Sequence, residues 1–128
     1  MSPERQWAVL KAIEDRRRQL AEDVVSRIKT HISTDKAVLF MKGTPDFPQC
    51  GFSAQAVAAL RANGVNSFHS VNIFEDPELR EALKKFSNWP TYPQLYVNGE
   101  LVGGCDIVLD MHRSGELKKL LNEAGATA

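Results

Sequence analysis

The stretch QLYVNGELVGG, Gln94 to Gly104, sets two short apolar runs on either side of Asn98-Gly99. Asn-Gly is the strongest short hairpin signal, because a tight two-residue turn needs positive φ at both central positions. The two runs are therefore predicted to pair as antiparallel strands. This reading decides the fold, because the chain before it alternates between helix and strand and implies parallel pairing instead.

Reading back from the hairpin, DPELREALKKF is a helix with Asp76 as N-cap, Pro77 at the first helical position and Leu79, Leu83 and Phe86 facing inward. SFHSVNI is a short strand. GFSAQAVAALRANG is a helix with Phe52, Ala56, Val57 and Leu60 on one stripe and Gly64 placed to stop it. GTPDFPQ holds a glycine and two prolines and reads as a loop. AVLFMK, from Ala37, is a continuous apolar run, as expected of a strand buried on both faces. Residues 4–32 read as helix, with Trp7, Leu10, Ile13, Leu20, Val24, Ile28 and Ile32 mostly three or four apart. The DRRRQ run interrupts that stripe. It divides an N-terminal helical extension, residues 1–19, from the main domain, residues 20–128. Forward of the hairpin, DIVLDMHRSGELKKLLNEAG closes the chain with helix, broken near Gly115. The order α, β, α, β, α, β, β, α gives an α/β fold: a four-stranded mixed sheet flanked by helices on both faces, the thioredoxin-like arrangement.

The chain has 128 residues, enough for one domain. Lysine plus arginine and aspartate plus glutamate balance at 16 each. A zero net charge argues against bulk attraction to nucleic acid or membrane. No run is long and apolar enough to span a bilayer, and no signal peptide is read at the start. Two cysteines, Cys50 and Cys105, make no disulfide framework. A reducing compartment, the cytoplasm, is the simplest expectation.

Cys50 stands between the loop and the first turn of a helix, where free N–H groups and the helix dipole favour an anion. Lys42, at the end of the preceding strand, is expected nearby. Both effects depress a thiol pKa, to roughly 3.5–7.5 at such sites. The alternative, a small buried apolar cysteine, sits poorly with Pro48 just before and a helix start just after. Ser53 occupies the position where a dithiol motif has its second cysteine, so no disulfide can form there. His31, His69 and His112 are dispersed without ligand spacing and are read as non-catalytic.

MKGTPDFPQCGFSAQAV, PELREALKKFSNWP and NWPTYPQLYVNGELVGGCDIV together resemble the monothiol glutaredoxins of the CGFS type, over roughly Val24 to Ala124. The resemblance implies a site that binds glutathione and a [2Fe–2S] cluster shared by two chains. Such a cluster takes four thiolates. Two copies of Cys50 and two glutathiones would supply them. The resemblance gives Lys42 and Arg80 to the glycine carboxylate of glutathione; Arg80 alone would read as a solvated charge. It implies a cis bond before Pro93 that turns the backbone of Tyr92 to the ligand. Trp89 is read largely as core packing. Around GGCD, the backbone near Cys105 and the Asp106 carboxylate face the γ-glutamyl end, and Asp106 also suits the N-cap of the last helix. Cys105 is either a structural apolar residue or a thiol able to pair with Cys50 or glutathione under oxidation. It is not expected to ligate iron.

Three functions follow as expectations. The first is an iron–sulfur carrier, a cluster-bridged homodimer or a heterodimer with a BolA-like protein, serving recipient apoproteins. The second is a glutathione-dependent thiol oxidoreductase acting through Cys50. The third is a binding module with a vestigial site. The extension before about Gln19 has no counterpart in the family pattern. It is expected either to dock by its short stripe of Trp7, Leu10 and Ile13 or to fray.

Overall fold

The structure, a computed structural model, describes residues 2–127. Its elements run α1 (Pro3–Thr34), β1 (Ala37–Met41), α2 (Gly51–Ala62), β2 (His69–Asn72), a 3-10 turn (Ile73–Glu75), α3 (Pro77–Ser87), β3 (Gln94–Val97), β4 (Glu100–Gly103), α4 (Cys105–Ser114) and α5 (Glu116–Ala124). The four strands form one sheet in the order β2-β1-β3-β4. β1 and β2 are parallel, while β1–β3 and β3–β4 are antiparallel. This is the expected thioredoxin-like mixed sheet. The hairpin turn has φ of 51° at Asn98 and 80° at Gly99, the positive values that its sequence selects.

β1 explains why its run is apolar throughout. Val38 and Phe40 pack with α1 and α3 residues such as Ile28, Leu79 and Leu83. Leu39 and Met41 point the other way, into a core shared with Leu60 of α2, Val108 of α4 and Leu117 of α5. A strand between two helical layers has no solvent face to reserve for polar residues.

The cap chemistry of α3 is as read: Asp76 accepts the Leu79 N–H at 3.1 Å and Pro77 opens the helix. One inward reading fails: Phe86 is 38% exposed, at the end of α3, where the helix periodicity still holds but the body has run out. Phe52, at the head of the α2 stripe, is 58% exposed. Asp106 does not cap α4. That place belongs to Gly104, and Asp106 lies in the first helical turn. β2 begins at His69, two residues later than SFHSVNI suggests. The histidines are not all dispersed: His31 of α1 stacks on His69 of β2, with Nδ1 and Nε2 2.9 Å apart.

α1 is one helix of 32 residues, unbroken through the DRRRQ run. Residues 2–23 are exposed, and burial begins at Val24. Arg27, on the outer side, joins α1 to α3 through Asp76 at 2.9 Å and Glu78 at 3.1 Å.

Candidate functional site

The loop between β1 and α2 is a closed turn. Thr44 and Phe47 exchange backbone hydrogen bonds of 3.2 and 3.1 Å, and the Gln49 N–H donates to the Lys42 carbonyl at 2.8 Å. Gly43 makes this closure possible. Its φ is +93°, and a Cβ there would stand 2.6 Å from both Gln49 N and the Phe47 carbonyl oxygen. The turn delivers Cys50 to the N-cap of α2.

The Cys50 thiol is half-buried and makes no capping hydrogen bond of ordinary length. Its pKa is nonetheless lowered. The Ser53 backbone N–H is the main cause; desolvation, the next largest effect, opposes it, and the Phe52 N–H and the charge of Lys42 add to the lowering. Ser53 is fully buried, and its Oγ accepts the Lys42 N–H at 3.1 Å. The residue standing where a dithiol protein has its second sulfur thus fastens β1 to the first turn of α2 and polarises Cys50.

Next to the first turn of α2, at Phe52, opens a cleft of about 470 Å³; Lys42, Arg80, Tyr92, Cys105 and Asp106 all line it, while Cys50, two residues before Phe52, lies outside its lining. Four separate segments therefore place the sequence-derived residues together. The Tyr92–Pro93 bond is cis, as the resemblance implies. The Tyr92 hydroxyl donates to the Arg80 carbonyl at 2.6 Å, and burial holds this phenol protonated well above its usual range. Arg80 Nε is buried without a hydrogen bond; the nearest carboxylate, Glu81, is 3.8 Å away. Cys105 is buried and donates to Gln55 Oε1 at 3.5 Å; burial first, then Asp106 and Cys50, raise its pKa. The two thiols are thus opposite in character: one held towards the thiolate, the other kept neutral.

Sequence reasoning missed three groups. Lys84 adds a third cation to the cleft. Ser53 was seen only as a missing thiol, although the third helical position is where an N–H faces the cap side chain. Trp89 is not core. It is half-buried, lines the cleft, and leaves its buried indole Nε1 without an acceptor. It packs so closely on Gly104 that a Cβ there would lie 2.8 Å from Nε1. That packing, between residues 15 apart, has no local signal in the sequence.

Three cations, two unpartnered donors and one carboxylate suit a ligand with several carboxylates and an amine. Among the described residues no three His, Cys, Asp or Glu side chains converge, so one chain alone offers no complete protein ligand set for a metal.

Residues 37–102 match the sequence profile of the Glutaredoxin family. The chain is 52% identical over 112 residues to a protein of Saccharomyces cerevisiae named monothiol glutaredoxin-5, mitochondrial, covering 86% of this chain and 75% of that one. It is 51% identical over 102 residues to glutaredoxin 4 of Escherichia coli K12, covering 80% and 88%. Among solved structures, reduced poplar apo GrxS14 superposes with a TM-score of 0.68 at 47% identity, over 80% of this chain and 93% of that one. No described helix is long and apolar enough to cross a membrane.

Proposed function

From the premise that this chain belongs to the glutaredoxin family, we propose that it is a CGFS-type monothiol glutaredoxin whose cargo is a [2Fe–2S] cluster. Glutathione occupies the cleft. Lys42 and Arg80 take its glycine carboxylate, the Tyr92 backbone aligns its cysteinyl unit, and Asp106 with the backbone at Cys105 receives its γ-glutamyl end. Two chains, each with Cys50 and one glutathione, hold the cluster between them as four thiolate ligands. A BolA-like protein replaces one chain in a second form, and apoproteins that need the cluster receive it. The observation that carries this reading is a single thiol of lowered pKa beside a cleft with two buried, unanswered donors. Three properties of Cys50 support a ligand role: it is accessible, held towards the thiolate, and has no resolving partner at position 53.

The second reading, thiol–disulfide exchange, rests on the same lowered pKa. The Cys50 thiolate attacks the glutathione sulfur of a mixed disulfide and the substrate thiolate leaves. A second glutathione thiolate then attacks, giving glutathione disulfide and restoring Cys50. A reducing compartment serves both readings. The cytoplasm fits, and the name of the yeast relative draws attention to the mitochondrion as well.

Anaerobic reconstitution with iron, sulfide and glutathione separates the readings. The wild-type chain and Cys105→Ser should turn brown and carry iron and sulfide. Cys50→Ser should stay colourless while its circular dichroism is unchanged. Iron retained by Cys50→Ser and lost by Cys105→Ser would reverse the assignment. Colourless wild-type protein with strong deglutathionylation would establish the enzyme instead.

A further inference from the structure

We propose that the exposed half of α1 is a dimer seam, which seats against the α1–α3 groove of a second copy in a reciprocal, antiparallel pairing. The interface is separate from Cys50 and its cleft.

The first observation is an apolar stripe that outlasts the body it packs on. Val24 and Ile28 are buried, yet the same face continues towards the N-terminus with Leu20 at 51%, Leu10 at 60% and Trp7 at 64% exposure. Helices in proteins owe most of their stability to packing an apolar face, and here more than five turns have none.

The second is spacing. Trp7, Leu10, Glu14, Arg17, Ala21 and Val24 are separated by three and four residues in strict alternation. That is the a/d spacing of a two-stranded coiled coil, held over about two and a half heptads. Its centre holds one acid and one base, and neither Glu14 nor Arg17 joins an ion pair among the described residues.

Those two charges choose the occupant and its direction. In a parallel pair Glu14 would meet Glu14 and Arg17 would meet Arg17. In an antiparallel pair with its two-fold axis between Asp15 and Arg16, each Glu14 faces the other copy's Arg17, giving two ion pairs. The same axis sets Leu10 opposite the small Ala21 and brings Trp7 to the level of the buried Val24, where the α1–α3 groove opens. The structure offers a receptacle at that level. A groove between α1 and α3 is lined by the apolar side chains of Leu20, Ala21, Val24, Val25, Ala82 and Phe86. Glu78, Glu81 and Lys85 line it as well, and both acids already pair within the chain, Glu78 with Arg27 and Glu81 with Lys84, so the apolar lining rather than charge is what receives Trp7. A lipid surface is the weaker occupant, because Glu14 sits within the stripe that would have to enter the bilayer.

Sedimentation equilibrium tests this on the full, reduced chain without iron or glutathione, so that no cluster can bridge two copies. Wild type should approach twice the 14.3 kDa chain mass as concentration rises. Leu10→Glu and Arg17→Glu should each raise the dimer dissociation constant by about tenfold or more. The swap Glu14→Arg with Arg17→Glu should restore it to near the wild-type value, because the pairing is symmetric. Residues 10, 14 and 17 are exposed in the single chain, and unchanged circular dichroism will show that the body still folds. A wild-type monomer at all concentrations overturns the proposal, as does a dimer indifferent to Leu10→Glu, or a swap that fails to rescue. A monomer that floats with phosphatidylserine vesicles also overturns it, in favour of a lipid surface. Failure here leaves the cluster reading untouched, since that is read by iron content.

Discussion

Cys50 and Cys105 are chemically the same side chain in two electrical settings. Amide N–H groups and Lys42 favour the anion at Cys50, whereas burial and Asp106 disfavour it at Cys105. Alkylation by iodoacetamide, followed residue by residue in a mass spectrometer, should show Cys50 reacting with a pH midpoint below the ordinary thiol value of about 8.5. Cys105 should react only at higher pH. The order reversed would contradict the electrostatics described. A parallel expectation holds for the cleft. Lys42→Ala and Arg80→Ala should each weaken glutathione binding by roughly tenfold, the low end for a charge-assisted contact at a groove edge. Calorimetry showing no change for either would remove both from the ligand. At this scale the sequence was informative where a residue's role is local. Cys50 at a helix start could be read from its neighbours. Trp89 could not, because its place is set by Gly104, across the fold.

Among the elements, α3 shows how much a few letters can specify. Asp76-Pro77 fixes its start, Leu79 and Leu83 its inner face, and Asn88 in a left-handed conformation its end. The Asp76 carboxylate has two duties, the cap to Leu79 and the ion pair to Arg27. Asp76→Ala should therefore cost about 0.5–2 kcal/mol in urea unfolding. Asp76→Asn should cost less, because it keeps the cap and loses an exposed ion pair. Equal losses would assign the stability to the charge instead. The hairpin was equally legible, since Asn98-Gly99 acts through its own backbone. The exposure of Phe86 was not. Periodicity reports which side of a helix is apolar, but not where the neighbouring layer ends, and that boundary depends on the length of α1 and the sheet beneath.

For the whole molecule, the His31–His69 contact couples the first helix to an edge strand 38 residues on. Burial, then His69 and Arg27, lower the His31 pKa, with Asp76 acting in the opposite sense. The unfolded chain therefore takes up the proton more readily than the folded one. Stability is complete above the unfolded value of about 6.5 and falls as the pH drops below it towards the lower folded value. Urea midpoints measured from pH 7.5 down to pH 5.5 should show this decline, and His31→Gln should flatten it; an unchanged slope in the variant would place the proton elsewhere. No spacing rule foretold this pair, because two histidines so far apart become neighbours only through the α1–sheet packing. The same long-range closure makes the cleft. Lys42, Arg80, Tyr92 and Asp106 come from four segments, and no one of them holds a ligand in the open chain. A molecule that bridges them recognises only the closed form, so its abundance becomes a determinant of how long the chain survives. At a free concentration a hundred times its dissociation constant, such a ligand adds about 2.7 kcal/mol to the unfolding free energy. With glutathione as that ligand, as proposed, a cell that exhausts its small thiol raises the unfolded fraction of the chain about a hundredfold, in addition to any chemistry the protein performs.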